Sequence, residues 1–440
     1  MKLAVVGGGS TYTPELADGL GRLREILPVD ELVLVDPVLE RLEPVGAVVR
    51  RILARYGHPA RVVLTDDLDA GVEDADAVLF QLRVGGQEAR AQDEAWPLDC
   101  GCVGQETTGA GGLAKALRTV PVVLDAAERV RRAAPNAWIV DFTNPVGIVT
   151  RALLDAGHRA VGLCNVAISF QRRFAAMLDV APNRLRLDHV GLNHLTWERG
   201  LHVLDEHGKP GPDLLPTLLA EHGPAIAEDI ELPVELLRAQ GTVPSYYLRY
   251  FYAHDAVVSA QRHTTSRAQQ VAAIERELLE LYADPTLDTK PELLERRGGA
   301  YYSEAAVALV AALLGTGSGS GSGSASAAGF EESERVQVAD VRNNGTLPFL
   351  PDDAVIEVPS RIDANGATPL PVAPLGPLHS GLIAHVAAYE ELALDAALRG
   401  GRDRVVAALL AHPLIGQYDI AEALTDRLLA AGKEHLPWAR

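Results

Sequence analysis

The chain has 440 residues, 48% of them hydrophobic, enough for a sizeable core and, at ordinary domain sizes, for two domains. Its formal net charge of −19 repels phosphate backbones, which argues against nucleic acid as a partner while leaving room for local basic sites that hold small anions. Three cysteines, Cys100, Cys102 and Cys164, are too few and odd in number for a disulfide framework, so a reducing cytoplasm is the expected location.

The opening MKLAVVGGGS runs straight from a short apolar stretch into glycines and does not read as a signal peptide. The apolar run AAVALVAALL at 305–314 falls short of the roughly 20 residues of a membrane span. No membrane partner is expected. Short apolar runs at 2–6, 32–36, 61–64, 77–82, 137–142 and 160–164 alternate with helix-like segments at 14–27, 38–55, 113–133 and 145–156. That alternation predicts a parallel sheet covered on both faces, an α/β doubly wound arrangement of Rossmann type.

Strand KLAVV leads into Gly7-Gly8-Gly9-Ser10 and then Thr13-Pro14, a plausible N-cap and first helical turn. Backbone N–H groups at such a corner can hold a pyrophosphate. The second strand, ELVLVD, ends on Asp36, where a carboxylate meets a ribose 2′-hydroxyl and favours NAD over NADP. Gly7, Gly9, Ser10 and Asp36 are therefore the expected cofactor contacts. The third glycine of the usual fingerprint is missing, since Tyr12 stands there, so an ordinary strand–turn–helix corner is the competing reading.

The stretch GGQEARAQDEAWPLDCGCVGQETTGAGG, 85–112, reads as a long polar loop at the carboxyl edge of the sheet, the kind that lines sites. Within it Arg90 could fork onto substrate oxygens or form a surface salt bridge. Asn144, in DFTNP, faces the same crevice. Cys164 ends the sixth strand and His194 sits in GLNHL. Both could ligate a metal, but their spacing matches no compact zinc pattern. By residue type alone they read equally as a buried small hydrophobe and a hydrogen-bonded core histidine. Further on, YYLRYFYAH at 246–254 is unusually aromatic. The serine-glycine stretch 315–329 reads as a flexible insert, VQVADV as a strand, and the tail from about 380 as helical. Residues 1–165 are expected to form the nucleotide-binding domain. Residues 166–440 are expected to form a mixed α/β domain for substrate, metal and oligomerisation.

The segments VVGGGSTYTPEL, GGQEARAQDE, GQETTGAGG, DFTNPVG, GLCNV, GLNHL, PSYYLRYFY and NNGTLPFLPDDAVIEVP, in this order and over most of the chain, resemble glycoside hydrolase family 4, the NAD- and metal-dependent phosphoglycosidases. The resemblance implies a lactate/malate dehydrogenase-like architecture and, as cofactors, NAD with Mn2+ or another divalent ion. Cys164 and His194 would be the metal ligands, with substrate hydroxyls completing the shell. The implied reaction departs from the usual pair of carboxylates. NAD+ takes hydride from C3, a base removes the acidified C2 proton, the aglycone leaves C1, water adds and the hydride returns. The base in β-acting members is a tyrosine, for which Tyr247 is the first choice and Tyr250 the second. Asn165 stands where α-acting relatives carry an aspartate acid, and asparagine cannot donate that proton. The resemblance is therefore to the 6-phospho-β-glucosidase branch, whose substrates are phosphorylated disaccharides or aryl glucosides. Arg267 matches a phosphate-binding arginine, with Ser10 and Thr11 as further anion contacts. Arg90, Asn144 and Asn165 match sugar-contacting positions, and Glu106 the second shell of the metal. Relatives of this kind are homodimers or homotetramers. The insert, and Ala167 where proline is expected, are the departures. Three alternatives stay open: a dehydrogenase of the lactate/malate type, a glycosidase for unphosphorylated sugars, and an idle nucleotide-binding sensor.

Overall fold

The computed structural model describes residues 1–299, 301–316 and 335–439. The expected flexible insert lies outside the described residues from 317 onward. Six parallel strands come first: β1 Lys2–Val6, β2 Glu31–Val35, β3 Arg61–Thr65, β4 Ala77–Phe80, β5 Trp138–Asp141 and β6 Ala160–Gly162. They lie in the order β6-β5-β4-β1-β2-β3, with the switch of direction between β1 and β4. Their near-continuous apolar sequences follow from that arrangement, because helices cover both faces. Seven further strands are β7 Leu185–Leu192, β8 Leu195–Leu204, β9 Pro210–Asp213, β10 Val243–Pro244, β11 Val336–Arg342, β12 Val355–Asp363 and β13 Gly366–Pro369. These pair antiparallel, and the sheet runs on without a break from β6 through β11, β12, β7 and β8 to β10.

The helices of the first half are α1 Thr13–Arg22, α2 Leu39–Arg55, α3 Leu68–Val72, α4 Gly86–Asp99, α5 Gly109–Ala133 and α6 Val146–Asp155, followed by α7 Val166–Met177. Thr13 is the first helical residue and not the cap. Tyr12 takes the cap position, and the Thr13 hydroxyl donates instead to the Gly8 carbonyl at 2.9 Å, pinning the glycine turn. The expected long loop at 85–112 is the larger correction. Gly85 turns with φ +79° and opens α4, so that only residues 100–108 remain without regular structure. Helix α4 was hidden because it buries charge: Arg90, Asp93 and Glu94 face inward, and apolar periodicity cannot find such a face. VQVADV does form β11, and the tail is helical in Pro377–Arg399, Arg402–Ala411 and Tyr418–Ala431. Among the described residues no helix is long and apolar enough to cross a membrane.

The three glycines after β1 are set by close approach. A Cβ on Gly8 would lie 2.7 Å from the Leu34 Cβ, and one on Gly9 2.8 Å from the Asp36 carboxylate. Gly7, at φ +90°, would put its Cβ 2.7 Å from the Gln81 carbonyl oxygen. Gly8→Ala is therefore expected to overpack the β1–β2 corner at a cost of about 1–3 kcal/mol. Denaturant unfolding of the cofactor-free protein, with unchanged slope, is the check.

Candidate active site

A cavity of about 1750 Å³ opens at the carboxyl ends of the parallel strands, beside the β1/β4 switch point. It is lined at one end by Gly7, Gly9, Ser10 and Asp36, and elsewhere by Arg90, Asn144, Asn165, His194, Tyr247 and Arg267. Ten of the expected site residues thus share one space. Cys164 does not line it; the side chain is buried just behind the wall.

At the glycine end the Asp36 carboxylate accepts from the Gly9 and Val38 N–H groups, each at 3.0 Å. Thr11 is turned inward and its hydroxyl donates to Glu275 at 3.4 Å, so it is spoken for within the fold. Glu275 also receives Arg297 at 3.1 Å and Arg41 at 3.5 Å. Arg297 and Arg41 line the cavity, as does Arg83. An acidic chain thus presents a row of guanidinium groups to this one space. The sequence did not single them out, because their partners come from distant helices.

His194 occupies the tip of the two-residue turn between β7 and β8, with φ +64°. That left-handed position favours glycine or asparagine, with histidine also tolerated, and His194 is one of six non-glycine residues with positive φ among the described residues. Its ring stacks on Tyr247, 3.6 Å between centroids and 11° between planes. Thr107 Oγ1 meets Nδ1 at 3.0 Å, and Nε2 is the ring nitrogen that remains to meet an ion. Burial foremost, then the charge of Lys115, pushes the imidazole pKa down to about 3, so the ring is neutral as ligation requires. Tyr246 packs on the other side of Tyr247 at 4.1 Å, and Tyr250 lies at 6.3 Å.

The Cys164 thiol and the Tyr247 phenol are both pushed well above their ordinary values. Burial is the main cause for each, followed by Glu357 and Asp340 for the thiol and by Tyr246 and Cys164 for the phenol. Both shifts are ones that a divalent cation would reverse. Among the described residues no third histidine, cysteine or carboxylate joins the pair to complete a metal shell. The buried Asn144 Oδ1, at the cavity wall, has no hydrogen-bond partner. This sulfur and nitrogen donor set, with unmet polar capacity beside it, fits an ion whose remaining ligands are oxygens of a bound molecule.

Arg90 is no surface residue. It is buried between Glu94 at 2.8 Å and Glu106 at 3.2 Å. Glu106 also binds Arg83 and receives Lys115 Nζ at 2.5 Å. Burial would raise the Glu106 carboxyl, but Arg83, Lys115 and Arg90 hold it well below the usual range. Its neighbour Thr107 is the residue that engages His194. Lys115 went unnoticed in sequence, although a lone lysine inside the apolar helix GAGGLAKALRTVPVV was the available signal. Arg267 opens the helix Arg267–Ala283 and donates to the carbonyls of Arg296 at 2.9 Å and Arg297 at 3.1 Å. Asn165 caps α7 in a helical conformation, next to Cys164.

Residues 2–180 match the model of the family 4 glycosyl hydrolases, and residues 189–415 that of the family 4 C-terminal domain. A probable 6-phospho-beta-glucosidase of Bacillus subtilis (strain 168) is 36% identical over 99% of this chain and 97% of its own. The 6-phospho-beta-glucosidase of Escherichia coli (strain K12) is 33% identical over 99% and 96%. The structure of a Thermotoga maritima 6-phospho-beta glucosidase with manganese, NAD+ and glucose-6-phosphate superimposes with a TM-score of 0.87, at 32% identity and 99% coverage of both chains.

Glu106→Gln strands buried cations and is expected to cost about 3 kcal/mol, read by denaturant unfolding. A second expectation concerns acid. An unfolded histidine takes up a proton near its ordinary 6.5, whereas His194 in the fold resists until about 3. Stability from this residue is therefore complete above 6.5 and lost as pH falls towards 3. His194→Asn should flatten the acid limb of the stability profile over that window.

Proposed function

This chain belongs to glycosyl hydrolase family 4, and from that membership we propose that it hydrolyses 6-phospho-β-glucosides with the help of NAD and a divalent ion, manganese foremost. The observation that carries the reading is the stack of Tyr247 on His194, with Cys164 behind it, in the same cavity as the glycine turn. The ligands of the Thermotoga maritima relative, and the names of the relatives from Bacillus subtilis and Escherichia coli, support the substrate class.

In this reading the glycine turn, Gly7 to Ser10, and Asp36 hold the dinucleotide. Binding its ribose would exchange the Gly9 bond of Asp36 for a hydroxyl. Cys164 and His194 hold the ion. When bound, NAD supplies reversible hydride acceptance and the ion supplies Lewis acidity. Tyr247 Oη takes the proton from C2 of the sugar. Its raised pKa in the protein alone means that a neighbouring positive charge must bring the phenol into working range. Arg90 and Asn144 orient sugar hydroxyls, the latter through its unpaired Oδ1. Asn165 contacts the sugar but donates no acid proton, which favours β-glucosides with good leaving groups, aryl glucosides among them. Arg267, with the other cavity arginines, receives the 6-phosphate. Residues 1–165 would be the cofactor unit and 166–440 the substrate, metal and assembly unit. Exposed Leu378, Leu398 and Tyr418 on the C-terminal helices support a homodimer or homotetramer. Three free cysteines, one of them needed as a thiolate, suit the cytoplasm.

The test is hydrolysis of p-nitrophenyl β-glucoside 6-phosphate and its unphosphorylated twin, with and without NAD+, Mn2+ and a thiol reductant. Cleavage of the phosphorylated compound alone, requiring both additions, is the expected result. Cleavage of both removes phosphate selectivity, and net reduction of NAD+ would favour the dehydrogenase alternative. Tyr247→Phe should slow exchange of the C2 proton at least about 100-fold. Parental exchange would shift the role to Tyr250. Cys164→Ser should abolish metal-dependent turnover.

A further inference from the structure

Behind the cavity wall lies a buried polar chain that the reaction as described does not use. His189 on β7 is fully buried between two carboxylates, with Nδ1 2.6 Å from Glu198 on β8 and Nε2 3.0 Å from Glu357 on β12. Burial opposes its charged form, but the two carboxylates prevail and hold the imidazolium up to about 10. The other oxygen of Glu357 accepts from Asn193 Nδ2 at 2.9 Å. Asn193 is the first residue of the β7–β8 turn whose second is His194. Gly147 of DFTNPVG packs against it, where a Cβ would lie 3.3 Å from that of Asn193.

One amide therefore adjoins the nitrogen donor along the chain and is tied to three buried ionisable groups. A hairpin tip does not need such an anchor for stability, since burying an ion triad is commonly no better than packing apolar groups. We propose that Asn193 is a positioning residue for the divalent ion: anchored by Glu357, His189 and Glu198, it fixes the turn that presents His194 to the ion. This rests on the reading of Cys164 and His194 as the ion's ligands.

The experiment titrates the full-length protein with Co2+, without substrate, and follows the thiolate-to-cobalt charge-transfer absorption. Asn193→Ala is expected to weaken Co2+ binding 10–100-fold and to shift or diminish the band, with NAD+ affinity unchanged. Glu357→Gln, which keeps the size of the anchor, should move affinity in the same direction. Cys164→Ser must abolish the band; if it does not, the ligand reading fails. If Cys164→Ser abolishes the band while Asn193→Ala leaves affinity and spectrum intact, the positioning role is overturned. A lower melting temperature in Asn193→Ala with unchanged Co2+ affinity marks a merely structural residue and overturns it equally.

Discussion

Between β6, which ends two residues before Cys164, and β7, which ends two residues before His194, lie the antiparallel strands β11 and β12. The Asp340–Gly162 pairing joins them to the parallel sheet, and the Glu357–Gly191 pairing joins them to the hairpin. Gly162 is demanded by the approach of β11, and Gly191 by the approach of its hairpin partner β8. A Cβ on Gly162 would lie 2.8 Å from the Asp340 Cβ, and one on Gly191 2.0 Å from the Leu195 carbonyl oxygen. The separation of the strand that leads to Cys164 from the strand that leads to His194 is set by this insertion of late sequence into the middle of an earlier sheet.

The second organising feature is how a chain of net charge −19 builds a basic cavity. Few cations are used, but each is paired with a carboxylate that several of them share. Glu106 gathers Arg83, Arg90 and Lys115, while Glu275 gathers Arg41 and Arg297. Shared carboxylates hold the cations in place without neutralising them, so the space keeps a positive face for anionic ligands. Around Cys164 the setting differs: burial foremost, then Glu357 and Asp340, pushes the thiol well above its ordinary value. The guanidinium-lined stretch and the buried thiol thus lie at different parts of the same region, one inside the cavity and one behind its wall.

The parallel half was legible because strand and helix there follow apolar periodicity, and because Gly7, Gly9 and Asp36 carry their chemistry within one local corner. Cys164 and His194 were legible only through GLCNV and GLNHL as parts of a wider resemblance; their spacing alone said nothing. The parts that escaped are those where polarity is turned inward. Helix α4 hides Arg90, Asp93 and Glu94, α5 hides Lys115, and β7, β8 and β12 hide His189, Glu198 and Glu357. No periodicity rule separates such residues from solvent-facing ones until their partners are known. Those partners are often more than a hundred residues away, as Glu357 is from His189.

Helix α4 has a consequence for modularity. Lacking an apolar face of its own, it is moored by polar contacts, and several of these come from the second half of the chain. Glu94 accepts the Ala268 N–H at 2.7 Å, Gln87 donates to Glu275 at 3.1 Å, and Gln261 brackets Gly104. The first 165 residues, although they hold a complete doubly wound sheet, are thus not an excisable cassette. Synthesised alone they would leave Glu94 and Gln87 without their partners beyond residue 260, although Arg90 and Asp93 would keep Glu106 and Arg118. Much of the cavity wall comes from residues beyond 165, so the first stretch of the chain alone leaves the space beside the glycine turn open.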